Sequence, residues 1–201
     1  MSTRSWISIQ IISEDIGKKR RFNPELLPLK LDIHSVWEKD IEYHLPEVEL
    51  SNFLTTYCHM DGYPSGVGRI LLADYNSYEK ALNLILGGYY STICGDEYHC
   101  EDYSKNQDLR IHNFLTYNYN HDNTGRVLDF AEVWNNNKPV NLKSEDETDP
   151  NKVYPKGHMI AWSYMWKDNK WWIKPSRQHH NSNFPMNWTV LTEEYIKKHP
   201  E

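Results

Sequence analysis

The stretch from Thr55 to Leu72, TTYCHMDGYPSGVGRILL, concentrates the residue types that proteins use for chemistry. It holds a cysteine, a histidine, an aspartate and three glycines, and an apolar segment with helical spacing follows directly. Four interpretations are open for such a stretch. It could be an anion site at a helix start, a site with a nucleophilic cysteine, a metal site, or a structural turn between a strand and a helix.

The anion site depends on the way in which the glycine-containing turn leads into the predicted helix. N–H groups at a helix start attract anions, and Arg69 in the first turn adds a charged donor. The glycines fit neither the dinucleotide fingerprint nor the Walker spacing. A structural turn explains the glycines and Pro64 as well, and it is the simpler interpretation. The candidate ligand-binding residues are His59, Asp61, Tyr63, Gly66, Gly68, Arg69 and His99.

A hydrolase is the main alternative function. Cys58 could form a thiolate pair with His59 or with the distant His158, and Asp61 could orient the base. However, Cys58 ends a predicted strand, whereas such nucleophiles normally open a buried helix, so a buried and inert cysteine is the simpler interpretation. Ser2, exposed by removal of the initiator methionine, could act as an N-terminal nucleophile. The candidate catalytic residues are therefore Cys58, His158 and Ser2.

A metal site has ligands of suitable type but poor spacing. The soft or borderline ligands are Cys58, His59, Cys94, His99 and Cys100. The sequence has neither a CxxC pair nor an HExxH motif, so the spacing does not favour zinc. We predict no metal and no cofactor.

The composition limits the classes of partner. The 201 residues carry a net charge of −6 with a pI near 5.9, which argues against duplex nucleic acid as the main partner. No apolar run approaches the roughly 18 residues of a membrane span, and no secretory signal is visible at the N-terminus. Three cysteines are too few for a disulfide framework, so we expect a reducing cytoplasm, that of a bacterium or an infected cell.

Predicted strands and helices must position these residues. Their order along the chain predicts a single-domain α+β fold over residues 1–201. Period-two patterns predict strands at Trp6–Ile12 and Phe53–Cys58, antiparallel to each other, and a hairpin over 158–174. Helical spacing predicts helices at Val67–Tyr75 and Ser77–Leu86. We expect a mainly antiparallel sheet with two or three helices, the last at the C-terminus, packed on one face.

Finer features follow from the local pattern. Asn76 is expected to cap the second helix, and Gly87 is expected to be its C′ glycine. The hairpin should turn at Asp168–Asn169. A charged, proline-broken segment over 13–50 reads as an excursion from the core, and residues 142–152 read as an exposed loop. The side chains expected on one hairpin face are Ile160, Trp162, Tyr164 and Trp166.

The segments MSTRSWISI and YCHMDGYPSGVGRILL resemble those of a family of small proteins encoded by phages and prophage-bearing bacteria. The likeness is specific around Tyr57–Leu72, and the segment Glu97–Asp108 and the tryptophan-rich hairpin follow the family more loosely. Met60 stands where the family would have tryptophan, and Cys100 stands where it would have a basic residue. The long 13–50 segment replaces a short link and is a candidate specificity element.

The resemblance implies a phage context and no particular reaction. Small accessory phage proteins often counter host defence by binding a host protein or by sequestering a nucleotide signal, and the comparison is one of context and not of fold. We therefore expect an accessory protein that binds a small anionic, nucleotide-like ligand or a host defence protein in the host cytoplasm. A hydrolase and a non-catalytic assembly protein are the alternatives.

Overall fold

The computed structural model describes residues 3–23, 26, 47–58, 61–88, 90, 93, 139–149, 151, 160–176 and 186–200. Their strands are β1 (Arg4–Gln10), β2 (Lys19–Arg20), β3 (Val48–Glu49), β4 (Phe53–Cys58), β5 (Val140–Leu142), β6 (Ile160–Lys167), β7 (Lys170–Pro175) and β8 (Thr189–Val190). Their helices are a π-helical turn (Pro64–Gly68), α1 (Arg69–Asp74), α2 (Tyr78–Leu86), α3 (Glu193–Lys198) and two short 3₁₀ turns (Ser13–Asp15 and Glu145–Thr148). The fold class is α+β.

The main sheet has six strands in the order β5-β4-β1-β6-β7-β8, and β2 and β3 form a separate two-stranded sheet. Neighbouring strands of the main sheet are antiparallel except β1 and β6, which run parallel. The prediction of a mainly antiparallel sheet is confirmed. The parallel pair at its centre joins segments that are about 155 residues apart in the chain, and no local pattern signals that pairing.

The helices cover one face of the sheet. Along β1, Ile7 and Ile9 point to this face, where α2 packs against β1 and β4. From β6 the core receives Trp162, Tyr164 and Trp166, as the alternation predicts. A register irregularity opposite the start of β1 adds Ala161 to the core cluster, which does not include Ile160. Bulges of this kind interrupt the alternation of side chains along a strand.

The helix α2 begins one residue later than its pattern predicts. Its N-cap is Ser77, whose hydroxyl accepts a hydrogen bond from the N–H of Lys80, so the prediction of Asn76 as the cap is wrong. At the other end Gly87 is the C-cap and remains in the helical region, whereas Gly88 adopts the left-handed conformation with φ +82°. The C′ glycine is therefore Gly88, and the prediction of Gly87 in that position is wrong. Serine and asparagine are comparable N-caps, so residue type alone does not decide between Asn76 and Ser77. The tertiary path of the chain decides which of the two residues begins the helix.

Both ends of the 13–50 excursion belong to the packed structure. Strands β2 and β3 pair within it, and Phe22, Val48 and Leu50 are buried in the main core cluster. The predicted exposed loop over 142–152 also differs, because Thr148 and Asp149 are buried. Among the described residues, no helix combines the length and the apolar character that crossing a bilayer requires.

Candidate functional site

The predicted anion site is a strand-to-helix turn that opens with a π-helix. β4 ends at Cys58, Asp61 adopts a positive φ of 57°, and Pro64 is the first residue of the π-helical turn. The turn continues without a break into α1, so Arg69 lies where the π-helix becomes an α-helix. Five of the predicted ligand-binding residues lie together in this turn: Asp61, Tyr63, Gly66, Gly68 and Arg69.

The N–H groups of the turn donate to carbonyl groups of the protein. Inside the turn, Val67 donates to the Asp61 carbonyl at 2.8 Å and Gly66 to the Tyr63 carbonyl at 3.0 Å. Two further bonds tie the turn to distant segments. The N–H of Gly62 donates to Thr3 O at 2.8 Å, and that of Ser65 donates to Pro200 O at 3.3 Å. The N–H groups that are bonded in this way are those of Gly62, Ser65, Gly66, Val67, Gly68 and Arg69.

An anion at this helix start would therefore have to displace protein carbonyl groups from the N–H groups of the turn. Ser65 is partly exposed, but its N–H and its hydroxyl both donate to Pro200 O. The structural role of the turn is evident, whereas the anion-binding role stays a prediction.

The glycines of the turn permit close approaches that a side chain would block. A Cβ on Gly62 would lie 2.8 Å from atoms of Arg4 and Ser5, and a Cβ on Gly66 would lie 2.3 Å from the Asp61 carbonyl oxygen. Gly68 packs against the ring of Tyr164, whose hydroxyl donates to Gly62 O at 2.9 Å. Burial raises the pKa of Tyr164 well above its usual value, so this hydroxyl remains a donor. The spacing of these glycines is thus set by packing.

Cys58 lies in the hydrophobic core on the helix-covered face of the sheet. None of its surface is exposed, and its backbone bridges to Tyr90. A thiol in this position has no access to a substrate while the core is closed. Its location matches the simpler interpretation of a buried, inert cysteine.

The other predicted site residues lie outside the described residues. These are His59 and His99 of the ligand-binding set, His158 and Ser2 of the catalytic set, and Cys94 and Cys100 of the metal set. Within the described part of the chain, no three histidine, cysteine, aspartate or glutamate side chains form a cluster that could hold a metal ion.

A second surface lies on the opposite face of the sheet, and the sequence reasoning missed it. Strand β7 alternates, so that Trp171 and Ile173 enter the core while Lys170, Trp172 and Lys174 occupy the other face. Trp188, just before β8, lies beside them. We call Lys170, Trp172, Lys174 and Trp188 the lysine–tryptophan face.

Each tryptophan of this face is paired with a lysine. The Lys170 ammonium lies 5.3 Å from the centre of the Trp172 ring, and the Lys174 ammonium lies 5.8 Å from that of Trp188. Both distances are within the range of cation–π attraction. The two rings are half-buried and pack against Phe53, Leu142 and Met165. Apolar packing against these three buried side chains therefore holds the two rings in place.

Ion pairs distinguish the lysines around the face. Lys174 donates to Asp149 Oδ2 at 2.6 Å, and both side chains are largely buried. On the neighbouring strand Lys167 donates to Glu145 at 2.6 Å. Lys170 is exposed and forms no ion pair with any residue that the structure describes. The free positive charge of the face is therefore at Lys170.

The signal for this surface was present in the sequence as KWWIKP. In a strand, period-two alternation places both lysines and one tryptophan of this segment on the same side. The position of Trp188 beside them depends on tertiary structure. No family model, curated protein or solved structure matches this chain.

Proposed function

We propose that this chain is a phage-type accessory protein that acts by binding, and that its ligand is a small, anionic, nucleotide-like molecule. The observation that carries the proposal is the lysine–tryptophan face. Half-buried tryptophan rings stack on bases of any identity, and a nearby ammonium neutralises a phosphate. The phage context comes from the resemblance of the turn around Tyr57–Leu72.

The acidic net charge of the chain fits a small ligand better than a polymer. Binding of long nucleic acids depends on many phosphate contacts, whereas this face supplies one free ammonium at Lys170. A mononucleotide or a dinucleotide needs only one or two such contacts. Counter-defence by sequestering a nucleotide signal is the role that this chemistry would serve.

Titration calorimetry with a panel of nucleotides tests the proposal. We expect binding that weakens by about fivefold or more in Trp172→Leu, because base stacking contributes roughly 1–3 kcal/mol. Lys170→Ala should weaken binding at low salt more than at high salt, since the contact is exposed. The matched control is Lys143→Ala, which removes an exposed lysine elsewhere in the chain. If no nucleotide binds or raises the melting temperature, the nucleotide-binding proposal is wrong.

A second candidate function, binding to a host protein, is favoured by a separate observation. Ile12 and Ile16 are 45% and 46% exposed on either side of the first 3₁₀ turn. The buried carboxylate of Asp15 stabilises this turn by accepting a hydrogen bond from the Lys18 ammonium at 2.8 Å. These two exposed isoleucines beside a fixed turn are the apolar side chains that a protein partner would cover. Capture of one defined host protein by the wild type, and its loss in Ile16→Glu, would support this function.

A further inference from the structure

Two lysines beside Lys170 are already matched by carboxylates of the protein. On β7, Lys174 donates to Asp149 Oδ2 at 2.6 Å. On β6, Lys167 lies directly opposite Lys170 and donates to Glu145 Oε2 at 2.6 Å. In both pairs a carboxylate holds the ammonium that a phosphate would otherwise contact. Lys170 itself is exposed and forms no ion pair within the described part of the chain, so the face offers one ammonium to an anion.

The carboxylates that match these lysines belong to one acidic segment. Residues 145–149 have the sequence EDETD, so four carboxylates stand within five residues. The segment lies beside the face, because the Thr148 hydroxyl contacts the sulfur of Met165, the cross-strand partner of Trp172. Asp168 adds an exposed carboxylate at the turn of the hairpin. A second or third phosphate placed next to the first would therefore meet negative charge.

We infer that the ligand of this face carries a single phosphate group, and that nucleoside diphosphates and triphosphates are selected against. This inference rests on the proposed function and names the ligand class of the same face. A single phosphate matches the one available ammonium, that of Lys170. Each further phosphate adds negative charge that Lys167 and Lys174 do not balance, because carboxylates of residues 145–149 hold both ammonium groups.

Titration calorimetry with the whole chain compares adenosine 5′-monophosphate with adenosine 5′-triphosphate in magnesium-free buffer. The two probes share the base and the first phosphate, so they differ only in the added phosphates. We expect the monophosphate to bind at least as tightly as the triphosphate. Tighter binding of the triphosphate by the wild type would overturn the inference and leave nucleotide binding standing. If neither probe binds, the proposed function fails as well.

The variant Glu145→Gln gives a second readout, because it releases the Lys167 ammonium opposite Lys170. We expect this variant to bind the triphosphate about threefold more tightly than the wild type at low salt, and the gain should fade at high salt, since exposed charge contacts are weak and screened. The affinity for the monophosphate should change less, because Lys170 already meets its phosphate.

The matched control is Glu193→Gln, which removes an exposed carboxylate from α3, on the helix-covered side of the sheet. If both variants bind the triphosphate equally well, the carboxylate of Glu145 does not select against added phosphates, and the inference is wrong. The comparison of the two probes on the wild type needs no variant, so it decides the matter even if Glu145→Gln does not fold.

Discussion

At the level of single residues, burial decides what the reactive side chains can do. Cys58 is fully enclosed by the core, whereas Lys170 and Trp172 occupy the other face of the same sheet. The residue types in the conspicuous turn suggested chemistry, yet close approaches account for its glycines, and its described N–H groups are bonded to protein carbonyls. The less conspicuous lysine–tryptophan alternation leaves an exposed lysine and a half-buried tryptophan on the sheet, and the proposed binding function rests on these groups.

Cys58 should resist thiol reagents in the folded protein. A thiolate must form and reach the reagent, and a side chain with no exposed surface permits neither. We expect iodoacetamide to leave the Cys58 peptide unmodified in native protein and to alkylate it fully in urea, as read by peptide mass mapping. Rapid native labelling at this position would contradict the core location and revive the hydrolase alternative.

Asp15 should be a source of stability that depends on pH. The hydrogen bond from Lys18 holds its pKa below the usual 3.8 in spite of burial, helped by Tyr78 and the charge of Arg20. Because the folded-state pKa is below the unfolded value, the stabilisation is present above 3.8 and is lost as pH falls through the folded-state pKa. Asp15→Asn should cost about 1–3 kcal/mol at pH 7.

Urea denaturation at pH 7 and below pH 3.8 measures this effect, and the difference between wild type and Asp15→Asn should shrink in acid. The matched control is Glu79→Gln, which removes an exposed carboxylate 3.7 Å from Arg20. Exposed pairs contribute little, so this change should cost less than about 1 kcal/mol. An equal loss in both variants would refute the assignment to Asp15.

At the level of elements, the π-helical turn connects three parts of the fold. It follows β4, is bonded through Gly62 to Thr3 just before β1, and is bonded through Ser65 to Pro200, which follows α3. A π-helix is rare and persists only where surrounding contacts hold it. Here the Tyr164 hydroxyl on Gly62 O supplies such a contact.

Gly66→Ala should destabilise this turn strongly. The added methyl group would lie 2.3 Å from the Asp61 carbonyl oxygen, which is backbone and cannot move aside cheaply. We expect a loss of about 1–3 kcal/mol in thermal or urea unfolding. The neighbouring control, Ser65→Ala, removes only a partly exposed hydroxyl bond to Pro200 and should cost about 1 kcal/mol or less. A neutral Gly66→Ala would show that the turn is not built as described.

At the level of the whole molecule, the centre of the sheet is the most protected part. β1 lies between β4 and β6, and its inner residues are completely or almost completely buried. Its partners come from segments about 50 and 155 residues away, so its pairing needs most of the fold to be assembled. Opening of a single loop or edge strand therefore does not break the hydrogen bonds of β1 to β4 and β6.

Native-state hydrogen exchange should reflect this arrangement. We expect the amides of β1 and β6 to exchange only through global unfolding, and those of α3 and the edge strand β8 to exchange faster. Mass spectrometry of peptic fragments at several denaturant concentrations gives the comparison. If β1 exchanged as fast as α3, the central position of β1 would be wrong.

The sequence by itself determined the features that depend on near neighbours in the chain. The alternation in β1, β4 and the β6–β7 hairpin, the turn at Asp168–Asn169, and the apolar stripe of α2 were all predictable, because period and turn chemistry act over a few residues. The α+β class followed from those elements.

Only the tertiary structure decided which distant groups meet. The parallel β1–β6 pair, the enclosure of Cys58, and the bond from Ser65 to Pro200, 135 residues away, have no local signature. The lysine–tryptophan face is intermediate, since KWWIKP places its lysines by local alternation, while Trp188 comes from the segment just before β8. Contacts of this kind depend on chain packing over long separations, and a short segment contains no information about its partner.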